Sequence, residues 1–126
     1  MALGSTAAPL PFKVKPKIPD QQTLAEPDQV HLEGFLGRRV MANEKHRLLA
    51  VDEDRLLLSY RQRPGVHQWD GEHVGKWIHA ATLAWANTGD AELRAKLDRV
   101  VANLLSCQEE NGYLGTYLPE KRWTSW

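Results

Sequence analysis

Between positions 69 and 105 the apolar residues recur with the period of an α-helix, in two different styles. In the first, Val74, Trp77, Ile78, Ala81 and Trp85 fall at i, i+3, i+4, i+7 and i+11, one helix face. Ala80, Leu83, Ala84 and Ala86 carry the apolar surface most of the way round, which predicts a helix buried on nearly every side. Polar residues gather at its start instead: Asp70, Glu72, His73 and Lys76, with Trp69 just ahead of them. Asn87-Thr-Gly ends the helix, Gly89 suiting the left-handed C-cap position, and Asp90 suits the N-cap of the next. There Leu93, Leu97, Val100, Val101, Leu104 and Leu105 make a one-sided stripe, with Arg94, Lys96, Asp98, Arg99 and Asn103 opposite. Such a pair is an αα-hairpin with an inner and an outer member.

Elsewhere the pattern is weaker. Residues 1–28, with Pro9, Pro11, Pro16, Pro19 and Pro27, read as an extended or disordered lead-in, and 29–126 as the folded part. Gln29-Val-His-Leu-Glu alternates polar and apolar, so Val30 and Leu32 suit a short strand or an edge contact. Over 36–51 a ragged stripe predicts a helix with Val40, Leu48 and Leu49 inward. Asp52 suits the cap of a short helix through Leu56, Leu57 and Leu58, ending before Pro64-Gly65. Beyond the hairpin, Asn111-Gly-Tyr-Leu-Gly-Thr-Tyr reads as a loop whose glycines permit positive φ. Because the hairpin reverses direction, this loop is expected back at the end where Trp69, Glu72 and His73 sit. Lys121-Arg-Trp-Thr-Ser-Trp then places two indoles, and Thr124 or Ser125 as a cap, where a further helix should begin. Three or so helices cannot enclose an all-apolar helix, so downstream residues or another subunit are expected to cover it.

Charge is balanced, 16 basic against 16 acidic residues, which argues against nucleic acid or an anionic membrane as the main partner. The single cysteine, Cys107, excludes an internal disulfide and a cysteine-based zinc site within this chain. No apolar run approaches the roughly 20 residues of a membrane span, and the N-terminus lacks the apolar centre of a signal peptide. A cytoplasmic protein is the expectation, or a secreted one if an export signal was trimmed.

Two readings of the polar first turn stand side by side. Asp70 caps the central helix and Glu72 favours its dipole, or the turn is offered to a ligand. His73 and His79 are six positions apart, about 600° of helix, so they point apart and do not share a metal. Cys107 reads as a buried inert thiol near the end of the outer helix, distant from any acidic or histidine cluster.

Several segments together resemble the N-terminal part of the β-L-arabinofuranosidase-like glycoside hydrolases, family 127 and its close relatives. They are Leu32-Glu-Gly-Phe-Leu-Gly-Arg-Arg, Val51-Asp-Glu-Asp-Arg-Leu-Leu, Trp69-Asp-Gly-Glu-His-Val-Gly-Lys-Trp, Ala86-Asn-Thr-Gly-Asp-Ala-Glu-Leu, Gln108-Glu-Glu-Asn-Gly-Tyr-Leu and Arg122-Trp-Thr. The resemblance implies an all-α fold, the first hairpins of a six-hairpin α/α barrel that is incomplete in this chain. It implies a retaining glycosidase with a cysteine nucleophile, a glutamate acid/base and a zinc ion. Those groups are expected downstream of Trp126, leaving no catalytic or metal-binding residue here and the chain inactive alone. What the resemblance carries over is a rim for an arabinofuranoside-like carbohydrate: Trp69, Glu72 and His73 at the helix start, joined by Tyr113, Thr116 and Trp123, with Trp126 as a further candidate. The rival class is a helical-repeat interaction module without enzymatic activity; no second copy of the hairpin recurs over 36–60, which counts against it.

Overall fold

The computed structural model describes residues 17–18, 21–22, 24–67 and 69–123. Positions 1–16 of the expected lead-in, and Thr124, Ser125 and Trp126 at the other end, lie outside the described residues. Four α-helices follow one another: α1 (Gly34–Asn43), α2 (Glu53–Arg61), α3 (Asp70–Thr88) and α4 (Ala91–Leu105). A π-helical turn, Glu44–Leu48, prolongs α1, and 3-10 turns form at Pro27–Gln29 and Pro119–Lys121. The described residues hold no strand, so the fold is all-helical and compatible with the helical hairpins of an α/α barrel.

The hairpin forms where its punctuation predicts. Gly89 takes φ 69°, a left-handed conformation that costs other residues strain, and its N–H closes α3 on the Trp85 carbonyl. Asp90 caps α4 by accepting from the Leu93 N–H at 2.8 Å. The Thr88 hydroxyl lies 2.8 Å from Glu44 Oε2 and 3.0 Å from the Ala84 carbonyl, and accepts from the Asp90 N–H at 3.3 Å. The turn is thereby tied to the π-helical segment. Asp52 caps α2 through the Asp54 and Arg55 N–H groups.

Leu48, Leu57, Tyr60, Val74, Trp77, Ala81, Leu93, Leu97 and Val100 form the core. A fully buried leucine contributes about 1.5–3 kcal/mol over an exposed one, whereas a helix as short as α2 is marginal in isolation. Burial of Leu57 in this core, where α2 packs on α3 and α4, therefore holds α2 in place more than helix propensity does.

Three expectations need correcting. α3 is not buried on every side: Val74, Trp77 and Ala81 face the core, while Gly75, Lys76, His79 and Thr82 are exposed and Leu83 is 49% exposed. The Pro27–Gln29 turn, α2, the π turn and α4 pack on α3, and these pieces cover one side of it. Val30 and Leu32 join no strand. Their segment is extended and exposed, moored instead by Asn87, whose side-chain amide donates to the Pro27 and Val30 carbonyls. Lys96 does not share the polar face of α4. It is 6% exposed, and Nζ donates to the Leu49 and Val51 carbonyls at 2.7 and 2.6 Å. These lie at the corner between the π turn and α2, where neither carbonyl has a backbone N–H partner among the described residues.

Candidate functional site

Helix α3 starts with a ring of polar side chains because the preceding loop is wound around one carboxylate. Asp70 is the first residue of the helix, not its cap; Trp69 holds the N-cap position without a side-chain bond to the helix. Asp70 turns back instead. Its Oδ2 accepts from the Ser59 hydroxyl at 3.0 Å and from the Val66 and His67 N–H groups, and Oδ1 lies 3.0 Å from His67 Nε2. Partial desolvation pushes the Asp70 carboxyl upward, but the hydrogen bonds from His67, Ser59 and Val66 outweigh it and hold the pKa below the usual carboxylate range. Three donors converge on Oδ2 and His67 lies against Oδ1, so this carboxylate organises the loop that leads into α3.

His67 is fixed by the same loop. Its Nδ1 accepts from the Trp69 N–H at 3.3 Å, which leaves Nε2 to carry the hydrogen toward Asp70. Its ring meets His73 edge-on at 5.9 Å and Trp69 at 6.4 Å. Trp69 remains half exposed. Glu72, one step along, is paired with Lys76 across one turn; that hydrogen bond, the Lys76 charge and His73 hold its carboxyl below the usual range. A cleft of about 530 Å³ opens beside His73 and Asp70, with Ser59, Arg55 and Leu56 of α2 and the corner 50–52 on its other wall.

The tyrosine loop does return to this end. The Gly65 N–H donates to the Thr116 carbonyl at 3.1 Å, and Thr116 is buried against Gly71 at the start of α3. Gly112 takes φ 86°, as a loop glycine permits, whereas Gly115 serves differently. A Cβ there would lie 2.5 Å from the Tyr113 hydroxyl, so the missing side chain makes room for the phenol. That hydroxyl accepts from the Tyr117 N–H at 3.1 Å. The Tyr113 ring carries the Arg122 guanidinium 3.6 Å from its centroid and the Arg63 guanidinium at 5.7 Å, with Trp123 edge-on at 6.2 Å. Arg122 grips Glu109 with two bonds, 2.8 and 2.6 Å, which lowers the Glu109 pKa and raises that of Arg122.

The residues proposed from sequence fall into two neighbouring groups on one end of the hairpin. Trp69, Glu72 and His73 stand at the start of α3; Tyr113 and Trp123 stand on the returning loop, Trp123 almost fully exposed. Thr116 lies beneath, between loop and helix. Trp126 is outside the described residues. Sequence reasoning missed Ser59, Arg63, Glu109 and Arg122, whose partners are 11 to 52 positions distant or sit within an unpatterned loop. Cys107 is half buried, and its thiol donates to the Asn103 carbonyl at 3.3 Å.

The described residues bring no three histidine, cysteine, aspartate or glutamate side chains together in a form that fits a metal ion. No helix among them is long and apolar enough to cross a membrane. Neither a curated protein nor a solved structure matches the chain. A family model does, over residues 28–125: beta-L-arabinofuranosidase, GH127 catalytic domain. With that match running over most of its length, through the α3 rim and the tyrosine loop alike, the chain belongs to the GH127 family of glycoside hydrolases.

Proposed function

We propose that this chain supplies hairpins of an α/α barrel and part of the carbohydrate-binding rim of a GH127 glycosidase acting on an arabinofuranoside-like glycan. The observation that carries it is the constellation at the start of α3. The Trp69 indole and, in the first turn of α3, the Glu72 carboxylate and His73 imidazole follow directly on a loop that Asp70 holds with four hydrogen-bonding contacts. Rigid support under a half-exposed polar and aromatic group is what recognition of a small polar ligand requires. The Trp69 face suits the CH surface of a sugar ring, and Glu72 and His73 suit its hydroxyls. On this reading the nucleophilic cysteine, the acid/base glutamate and the zinc ligands belong to residues beyond Trp126. The Cys107 thiol donates instead to the Asn103 carbonyl of α4. The open side of α3 is then the face that further barrel helices cover.

The rival, a helical-repeat module, needs a second copy of the hairpin. The preceding pair, of 10 and 9 residues joined through a π turn, is not one, against 19 and 15 for α3 and α4. The test is hydrolysis of p-nitrophenyl β-L-arabinofuranoside by the intact gene product. Trp69→Ala and Glu72→Gln are expected to keep the circular dichroism spectrum and lower kcat/KM about ten-fold or more, a loss of roughly 1.4 kcal/mol each. Unchanged kinetics in both variants would remove these residues from the site.

A further inference from the structure

Resting on that reading of the rim, we propose that Arg63 is a positioning residue for carbohydrate recognition, locking the tyrosine loop to the segment that carries Trp69 into α3. Some bonds close the loop on itself, and others moor it to the rest of the fold. Arg122 and Glu109 belong to the same stretch of chain, so their paired bonds fold that stretch without fixing it to anything else. Arg63 crosses over. Its Nε donates to the Gly115 carbonyl at 2.7 Å, Nη2 to the Cys107 carbonyl at 2.8 Å, and Nη1 lies 3.3 Å from Glu109 Oε1. Two acceptors on the approach to the loop, Cys107 and Glu109, and one within it, Gly115, are thereby held by one planar group of 19% side-chain exposure. A backbone bond runs parallel to it, from the Gly65 N–H to the Thr116 carbonyl. Arg63 and Gly65 precede Trp69 by only a few residues, so the distance between the two halves of the rim is set here. A lysine cannot reproduce this, since its ammonium is a point donor and the three acceptors need the guanidinium fork.

The experiment uses Arg63→Lys and Arg63→Met in the intact gene product, with p-nitrophenyl β-L-arabinofuranoside as the probe and amide hydrogen exchange at 111–117 as a second readout. Arg63→Lys keeps the charge and serves where Arg63→Met does not fold. The expected result is faster exchange in the loop and a KM raised about ten-fold, with kcat within about two-fold of wild type, the pattern of lost ground-state positioning. Wild-type KM in Arg63→Lys, with or without faster exchange, overturns the proposal while Trp69→Ala still weakens the enzyme. If Trp69→Ala and Glu72→Gln are also silent, the rim reading itself falls and takes this inference with it.

Discussion

The buried Lys96 gives the most direct test of how this fold is held. Its ammonium is the donor to two corner carbonyls, Leu49 at 2.7 Å and Val51 at 2.6 Å, and lies 6.0 Å from the Trp77 ring centroid. Lys96→Met keeps the length of the side chain and opens almost no cavity, so the perturbation is the loss of the donor alone. Hydrogen bonds to charged groups contribute about 1.5–3 kcal/mol each, and an orphaned buried acceptor costs about 1–3 kcal/mol. Two effects oppose this: the ammonium no longer has to be desolvated, and Ala50, between the two carbonyls, is exposed, so water can reach part of the corner. The net expectation is a destabilisation of about 2 kcal/mol, with Lys96→Ala costing about 1 kcal/mol more through lost packing. Urea unfolding followed by tryptophan fluorescence measures it, since Trp77 reports the same corner. A Lys96→Met midpoint equal to or above wild type, at unchanged slope, would refute the reasoning: the corner would then be held by apolar packing and not by the donor.

Other outcomes follow from single features. Gly89→Ala forces a Cβ into the left-handed region at φ 69° and is expected to cost about 1 kcal/mol, a fall of about 4–8 °C in Tm. Acidification should destabilise the fold in a defined window. Asp70, Glu72, Asp90 and Glu109 all have folded pKa values lowered by their donors, so their contribution is complete above the ordinary carboxylate range. It is lost as pH falls from that range through the lowered values, and Asp70→Asn should flatten the acid limb of a stability-against-pH curve. A curve flat below pH 5 would contradict the assigned donors.

The parts of this fold that were legible in sequence are those whose signals are local. Gly89, Asp90 and Asp52 act within three or four residues of themselves, and the α4 stripe is a property of one helix. What stayed hidden depends on partners distant in the chain. Lys96 adjoins Leu93 and Leu97 on the edge of the buried stripe, but only the corner 45 to 47 positions earlier turns it inward. Arg63 likewise meets acceptors 44 and 52 positions later. The ragged stripe over 36–51 did carry a trace of what is there: the π turn over Glu44–Leu48 interrupts the regular 3.6-residue period. The strand reading of 29–33 failed because alternation reports extended backbone without reporting a neighbour. At the rim, the residue types were readable and the approach of the tyrosine loop followed from hairpin geometry. The clamp that sets their spacing was not.

The corner at 48–52 also decides where the molecule can be cut. The Trp77 indole N–H donates to the Leu48 carbonyl at 3.2 Å, just as Lys96 holds the two carbonyls beyond it. A peptide comprising α3, its turn and α4 would keep every local helix signal, yet strand an indole N–H and an ammonium on the apolar surface it must bury. The long hairpin is therefore expected to be less stable alone than a piece that reaches back to the π turn, a difference that circular dichroism of the two pieces would measure. Ribosomal synthesis lays down the acceptors before the two side chains that claim them.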